Sequence, residues 1–178
     1  MYQKIVMDLR KRLIKSDKQT FTTFEELIAL LPEELQQRFE KLKGNPERTD
    51  YHPEGNTYAH IKIVTERLMT TGDINLIMAG VFHDLGKLET TRPNPRTGQP
   101  SAFGHERVSA NLVNKFSQFI AEMGADPKEV YEIVNYHMRI KQMHNMGKKK
   151  RDEMMGLPVY NKLETFTKAD SMINEFKL

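Results

Sequence analysis

Apolar residues recur along nearly the whole chain at intervals of three and four, and scarcely anywhere at intervals of two. A helix needs that period to place a stripe on one face, so the expected fold is all-α, a single-domain helical bundle. With 178 residues the chain suffices for one domain whose core needs no staples. Ile5, Val6, Leu9, Leu13 and Ile14 make a first stripe between Tyr2 and Ile14. A second segment runs from Thr23 to Leu42, where Pro32 is expected to divide two short helices, since proline suits a first turn and disrupts an interior. Lys43 to Gly55 reads as a loop. Further helices are expected from Asn56 or Thr57 to Met69, from Ile74 to Leu85 with Gly86 closing it, from His105 to Met123, from Pro127 to Met138, and from Pro158 to Ile173. Thr90 to Phe103 is the long irregular stretch, suited to a substrate-side loop or a short hairpin. Residues 1–50 are expected to form a helical extension packed on a core of residues 51–178.

Cysteine is absent. Disulfides, thiolate zinc sites and cysteine nucleophiles are thereby excluded, and any metal must be held by imidazole and oxygen. There is no long apolar run and no secretion-type N-terminus, so no membrane span is expected and a cytoplasmic location is the default. The formal charge of +3 and pI near 9.0 favour a polyanionic partner. The run Lys148-Lys149-Lys150-Arg151 reads as a solvated loop, and no aromatics are interleaved with it to make a stacking platform.

Several polar residues fall inside apolar stripes. His60 lies on the stripe of Ile63, Val64 and Leu68. Asp84 follows Ile77 and Val81 on an almost wholly apolar segment, with His83 beside it. His105 heads the stripe Val108, Leu112, Phe116 and Phe119; His137 ends that of Val130, Ile133 and Val134; Asp170 sits between Phe166 and Ile173. Each is aimed at the core by its own helix, where an unpaired carboxylate costs several kcal/mol. A single histidine so placed is more often a satisfied core residue than a ligand. Asp84 resists that reading, because the residues around it offer only Lys87 as a partner. Six such groups converging on one small core are more economically explained by a shared cation, with Mn, Fe, Co, Ni, Zn or Mg as candidates. His52 and His144 lie in polar contexts and read as loop histidines.

His60, the pair His83-Asp84, His105, His137 and Asp170 in this order resemble the H…HD…H…H…D signature of the HD-domain metal-dependent phosphohydrolases. The strings Tyr51-His52-Pro53-Glu54-Gly55, His83-Asp84-Leu85-Gly86-Lys87, Thr90-Thr91-Arg92 and Gly104-His105-Glu106 are most similar to the HD domain associated with bacterial tRNA nucleotidyltransferases (CCA-adding enzymes), and a similar domain accompanies some polynucleotide kinases. The resemblance covers roughly residues 51 to 173 and brings no nucleotidyltransferase or P-loop kinase segment with it. It implies a helical bundle with one or two divalent ions. His60, His83, Asp84 and Asp170 would hold the first, and Asp84 would bridge to a second completed by His105 and His137.

The expected chemistry is hydrolysis of a nucleotide-type phosphomonoester or a 2′,3′-cyclic phosphodiester, nucleic-acid ends included, by a metal-activated hydroxide. Lys87, one turn past Asp84, is the candidate catalytic and phosphate-binding cation, and look-alike domains carry a lysine there. Arg92 and Arg139 are further substrate-binding candidates, with Arg96 behind them. Two alternatives stand beside this: a nucleoside mono- or triphosphate hydrolase working on free nucleotides, and a nucleic-acid-binding accessory domain with a structural metal.

Overall fold

The computed structural model describes residues 21–48 and 53–171. The stripe from Tyr2 to Ile14 and His52 lie outside them. Among the described residues the architecture is helical, with one two-stranded hairpin. Helix α1 (Phe24–Leu30) opens on a capping box between Thr23 and Glu26, and α2 (Glu33–Leu42) starts after Pro32 as expected. Helix α3 (Thr57–Met69) is capped by Asn56, whose side chain accepts the Ala59 N–H at 2.9 Å. Both α1 and α2 pack on α3, and Phe24, Phe39 and Tyr58 meet edge to face at that junction.

Helix α4 (Ile74–Phe82) is the central element. Every residue from Leu76 to Phe82 is buried, as an all-round apolar helix requires. It is flanked by α3, by α6 (His105–Lys115), by α8 (Pro127–Lys141) and by α10 (Tyr160–Asp170). Contact with α3 is close at Gly80, where an added Cβ would lie 2.9 Å from Leu68 Cδ1 and 3.2 Å from the Thr65 Cα.

Several boundaries differ from those expected. Helix α4 stops at Phe82 instead of Leu85, so His83 and Asp84 occupy the turn that follows it. Hydrogen bonding there tightens from four residues to three, with Leu85 N donating to Phe82 O and Lys87 N to Asp84 O. Gly86 does not close the helix. Its N–H donates to Ser109 Oγ at 2.9 Å, and a Cβ on it would fall 2.4 Å from the His105 carbonyl oxygen and 2.8 Å from the Ser109 nitrogen. Glycine is needed there because two backbones nearly touch. After it come the short α5 (Lys87–Thr90) and the hairpin of β1 (Arg92–Pro93) with β2 (Pro100–Ser101), paired antiparallel.

The expected helix from His105 to Met123 bends at Phe116, whose ring packs on Phe82, and resumes as α7 (Ser117–Glu122). Helix α8 continues three residues beyond Met138, burying Ile140 and bringing Lys141 to Asp170. The basic run is helical too. It opens α9 (Lys148–Met155), whose residues are good helix formers and of which only Met154 is buried.

Replacing Gly86 with alanine should cost about 1–3 kcal/mol through overpacking against main-chain atoms that have no rotamer to yield. Urea denaturation measures this, and a midpoint equal to that of the unaltered chain would contradict the close approach.

Candidate metal centre

Four imidazoles and two carboxylates from five places in the chain converge beneath the end of α4. His60 comes from the first turns of α3, His83 and Asp84 from the turn after α4, His105 from the first residue of α6, His137 from α8, and Asp170 from the last residue of α10. All six are buried, Asp84 to 2% residual exposure.

Each imidazole is held by its Nδ1. His83 Nδ1 donates to Gly80 O at 2.8 Å, His105 Nδ1 to Ala102 O at 2.7 Å and His137 Nδ1 to Val134 O at 2.6 Å. Carbonyl oxygens only accept, so the proton is on Nδ1 in all three. His60 Nδ1 donates to the Glu54 carboxylate at 2.7 Å. The Nε2 atoms are therefore left to face one another and the acids, the arrangement in which outer partners fix the tautomer and aim of metal-ligating histidines. Phe166 packs against the rings of both His83 and His137.

Asp84 divides the cluster. Its Oδ2 lies 3.3 Å from His83 Nε2 and 3.5 Å from His60 Nε2, while its Oδ1 lies 3.0 Å from His105 Nε2 and 3.8 Å from His137 Nε2. Asp170 Oδ1 joins the first side at 3.0 Å from His60 Nε2 and 3.9 Å from His83 Nε2. Two groups that can hold a metal ion result, His60–His83–Asp84 and Asp84–His105–His137. Atoms each about 2.0–2.2 Å from one ion stand about 3.0–3.9 Å apart at ordinary coordination angles, so these spacings suit an ion in each group. Two features call for a cation. His83 Nε2 is buried with no hydrogen bond, and the Nε2 atoms of His105 and His137 stand 3.3 Å apart, where two lone pairs would repel.

Charge makes the same demand. Asp84 and Asp170 are buried carboxylates with Glu47 and Glu54 close by; Lys87 pairs with Asp84 and Glu47, and Lys141 with Asp170. Burial alone would lift the Asp84 and Asp170 carboxyls, but the basic groups around them hold both well below the usual range. Burial opposes a proton on His60 as well, yet its bonds to Asp170 and Glu54 prevail and raise it to about 9. His105 is raised too, by Asp84 acting against burial. His137 is pushed down to about 3 by burial and by the neighbouring His83 and His105. Without metal, the proton that His60 keeps near neutral pH offsets part of the buried negative charge. The residues present fit divalent ions.

Lys87 is buried with its Nζ 2.7 Å from Glu47 and 2.9 Å from Asp84, and despite burial these acids keep it charged. It lines a cavity of about 280 Å³ together with Arg48, Thr91, Ser101, Phe103 and His105. The cavity thus reaches the Asp84–His105–His137 group. Arg92 and Arg139 are exposed and do not line it; Arg92 donates to its neighbour's carbonyl, and Arg139 lies over the Tyr136 ring. Arg96 and His144 are exposed as well. From the sequence, Glu47 carries no signal, Glu54 stands only within the string from Tyr51 to Gly55, and Lys141 reads only as part of a basic stretch after His137. Glu47 and Glu54 lie in a polar loop with no helical register, and Lys141 falls beyond the expected end of its helix.

Residues 57–171 match the family model described as the HD domain. Among curated proteins the chain is similar to the Multifunctional CCA protein of Cupriavidus necator, 39% identical over 88 residues, or 49% of this chain and 19% of that protein. The proteins of that name from Dechloromonas aromatica and Thioalkalivibrio sulfidiphilus are 37% and 36% identical over 90 and 89 residues, covering 50% and 49% of this chain and 20% of each relative. The match spans only about a fifth of these relatives' length. No solved structure matches the chain significantly. Among the described residues, no helix is long and apolar enough to cross a membrane.

A stability profile tests the charge balance. The ordinary pKa of histidine is 6.5 and that of His60 in the metal-free fold about 9. Its proton therefore stabilises the fold fully below about pH 6.5, and this contribution is lost as pH rises through 9, on the order of 3 kcal/mol. His105 acts in the same direction; His137, kept neutral, destabilises only below about 6.5. Thermal denaturation of chelator-treated protein should show a falling midpoint across pH 6.5–9, whereas metal-saturated protein, with cations in place of protons, should not. Equal slopes in the two forms would contradict the account.

Proposed function

The chain belongs to the HD domain family, typically metal-dependent hydrolases, and from that premise we propose that it hydrolyses a nucleotide-type phosphomonoester or 2′,3′-cyclic phosphodiester, on a nucleotide or a nucleic-acid end. One observation carries the reading above all. The two oxygens of Asp84 each face a different pair of imidazoles, the arrangement of a carboxylate placed to bridge two ions. His60, His83, Asp84 and Asp170 would hold one, and Asp84, His105 and His137 the other. Bound there, divalent ions supply Lewis acidity, making a nucleophile available from water near neutral pH and offsetting charge on phosphoryl oxygens.

The protein's own groups contribute the rest. The Nδ1 anchors fix the imidazoles before substrate arrives, so little reorganisation accompanies reaction. Divalent ions beside these acids would make the centre attractive to a phosphate dianion. Lys87, pinned between Glu47 and Asp84 and lining the cavity, places a permanent cation where charge gathers on a phosphoryl oxygen. Thr57 Oγ1 donates to Glu47 Oε1 at 2.8 Å and steadies that clamp. Arg92 and Arg139, outside the cavity, suit contacts with the remainder of a longer polyanion rather than with the reacting phosphate. The name of the curated relatives supports a nucleic-acid-end substrate.

The test is a substrate panel with Mn, Ni, Co or Mg: a 3′-phosphorylated oligonucleotide, a 2′,3′-cyclic nucleotide and a deoxynucleoside triphosphate. The first two should be cleaved faster than the third, and chelator should abolish cleavage. Lys87→Met should lower kcat about 10²–10³-fold while metal content is retained. Full activity in an Asp84→Ala variant would remove this centre from the reaction, and a clear preference for the triphosphate would favour hydrolysis of free nucleotides.

A further inference from the structure

Phe103 is 97% exposed. Isolated exposed apolar residues are common and usually mean nothing, but this ring lines the same cavity as buried Lys87 and His105. Its backbone is tied to the centre through the residue before it. The carbonyl of Ala102, one residue before it, accepts the His105 Nδ1–H at 2.7 Å. Gly104, one residue after it, has φ +79°, a conformation glycine adopts without penalty. The hairpin of β1 and β2 delivers this stretch to the mouth of the cavity. Ala102 and Met138 extend the apolar side, while Lys87, Arg48 and His105 supply the polar one. At about 280 Å³ the space lies just below the roughly 300–1,000 Å³ of ordinary small-molecule sites, the scale of a small ligand.

We propose that Phe103 is the nucleobase platform of this site, stacking its ring on the base of the nucleotide whose phosphate lies by Lys87 and His105. The proposal rests on the phosphate-ester reading above and adds the recognition that reading lacks. A cation and a ligand set hold any phosphate; an exposed ring beside them selects phosphates that carry a base. Stacking on an aromatic ring tolerates every base, so the site recognises nucleotides as a class and favours purines, which offer the larger face.

The test uses the full chain saturated with Mn and two probes, the 3′-monophosphate of 2-aminopurine riboside, whose fluorescence is quenched by stacking, and base-free glycerol 2-phosphate. Fluorescence is read by stopped flow before turnover, and glycerol 2-phosphate affinity by calorimetry. The wild type should quench the fluorescent probe. Phe103→Ala should weaken that probe about 10- to 100-fold and abolish the quench, leave glycerol 2-phosphate affinity unchanged, and lose nothing in thermal midpoint; Phe103→Trp should restore quenching. No quench in the wild type, an unaltered nucleotide affinity in Phe103→Ala, or an equal loss for both probes would overturn the platform. The two proposals fail separately. Phe103-dependent quenching without hydrolysis would sink the hydrolase and keep the platform, whereas hydrolysis indifferent to Phe103→Ala would do the reverse.

Discussion

An acid set in the middle of four imidazoles, with a second acid beside it, is not a stable arrangement by itself. Asp84 and Asp170 are buried beneath the end of α4, with Lys87 paired to Asp84 and Glu47 and Lys141 paired to Asp170. Buried charge must be compensated in a medium that does little to screen it. In the metal-free state part of that task falls on the His60 proton, which its bonds to Asp170 and Glu54 hold against burial. Divalent ions do it more completely, using lone pairs that the Nδ1 anchors have already aimed inward. The acids Glu47 and Glu54, the lysines and the backbone carbonyls behind the histidines all follow from that one requirement.

The fold holds these groups by rigid means. Helix α4 is apolar on every side, so it lies at the centre and its end is a fixed point from which His83 and Asp84 emerge. The neighbouring helix α6 can bring His105 to Asp84 only because Gly86 lets two backbones meet. Helices α3, α8 and α10 then supply His60, His137 and Asp170 from the sides. The cavity approaches from the hairpin side, where Lys87 and Phe103 give it a charged interior and an apolar edge.

Much of this was legible in the sequence. An apolar period of three to four marked the helices, and polar residues inside those stripes marked the cluster, since only a helix face makes a buried histidine visible as an exception. The six residues of the HD signature, His60 to Asp170, all lie inside the family match, while the string from Tyr51 to Gly55 precedes it. What escaped has physical reasons. The turn after α4 is held against a segment some twenty residues on, through Gly86 N–H and Ser109 Oγ, and no local pattern encodes that. Lys141 read only as a member of a basic stretch because its helix was expected to end at Met138, and the run from Lys148 looked like a loop because a helix with one buried residue has almost no stripe. Glu47 and Glu54 act from a loop, where no periodicity says which way a side chain points. Phe103 lay in the one irregular stretch and could be weighed only once its exposure was known.

The central claim is that Asp84 bridges two cations inside this bundle. Anomalous diffraction at the Mn edge, from crystals grown with Mn, tests it most directly. The account predicts two peaks, one on each side of the Asp84 carboxylate, the first bounded by His60, His83 and Asp170 and the second by His105 and His137. An interior without a peak, or peaks only at surface carboxylates, would contradict it.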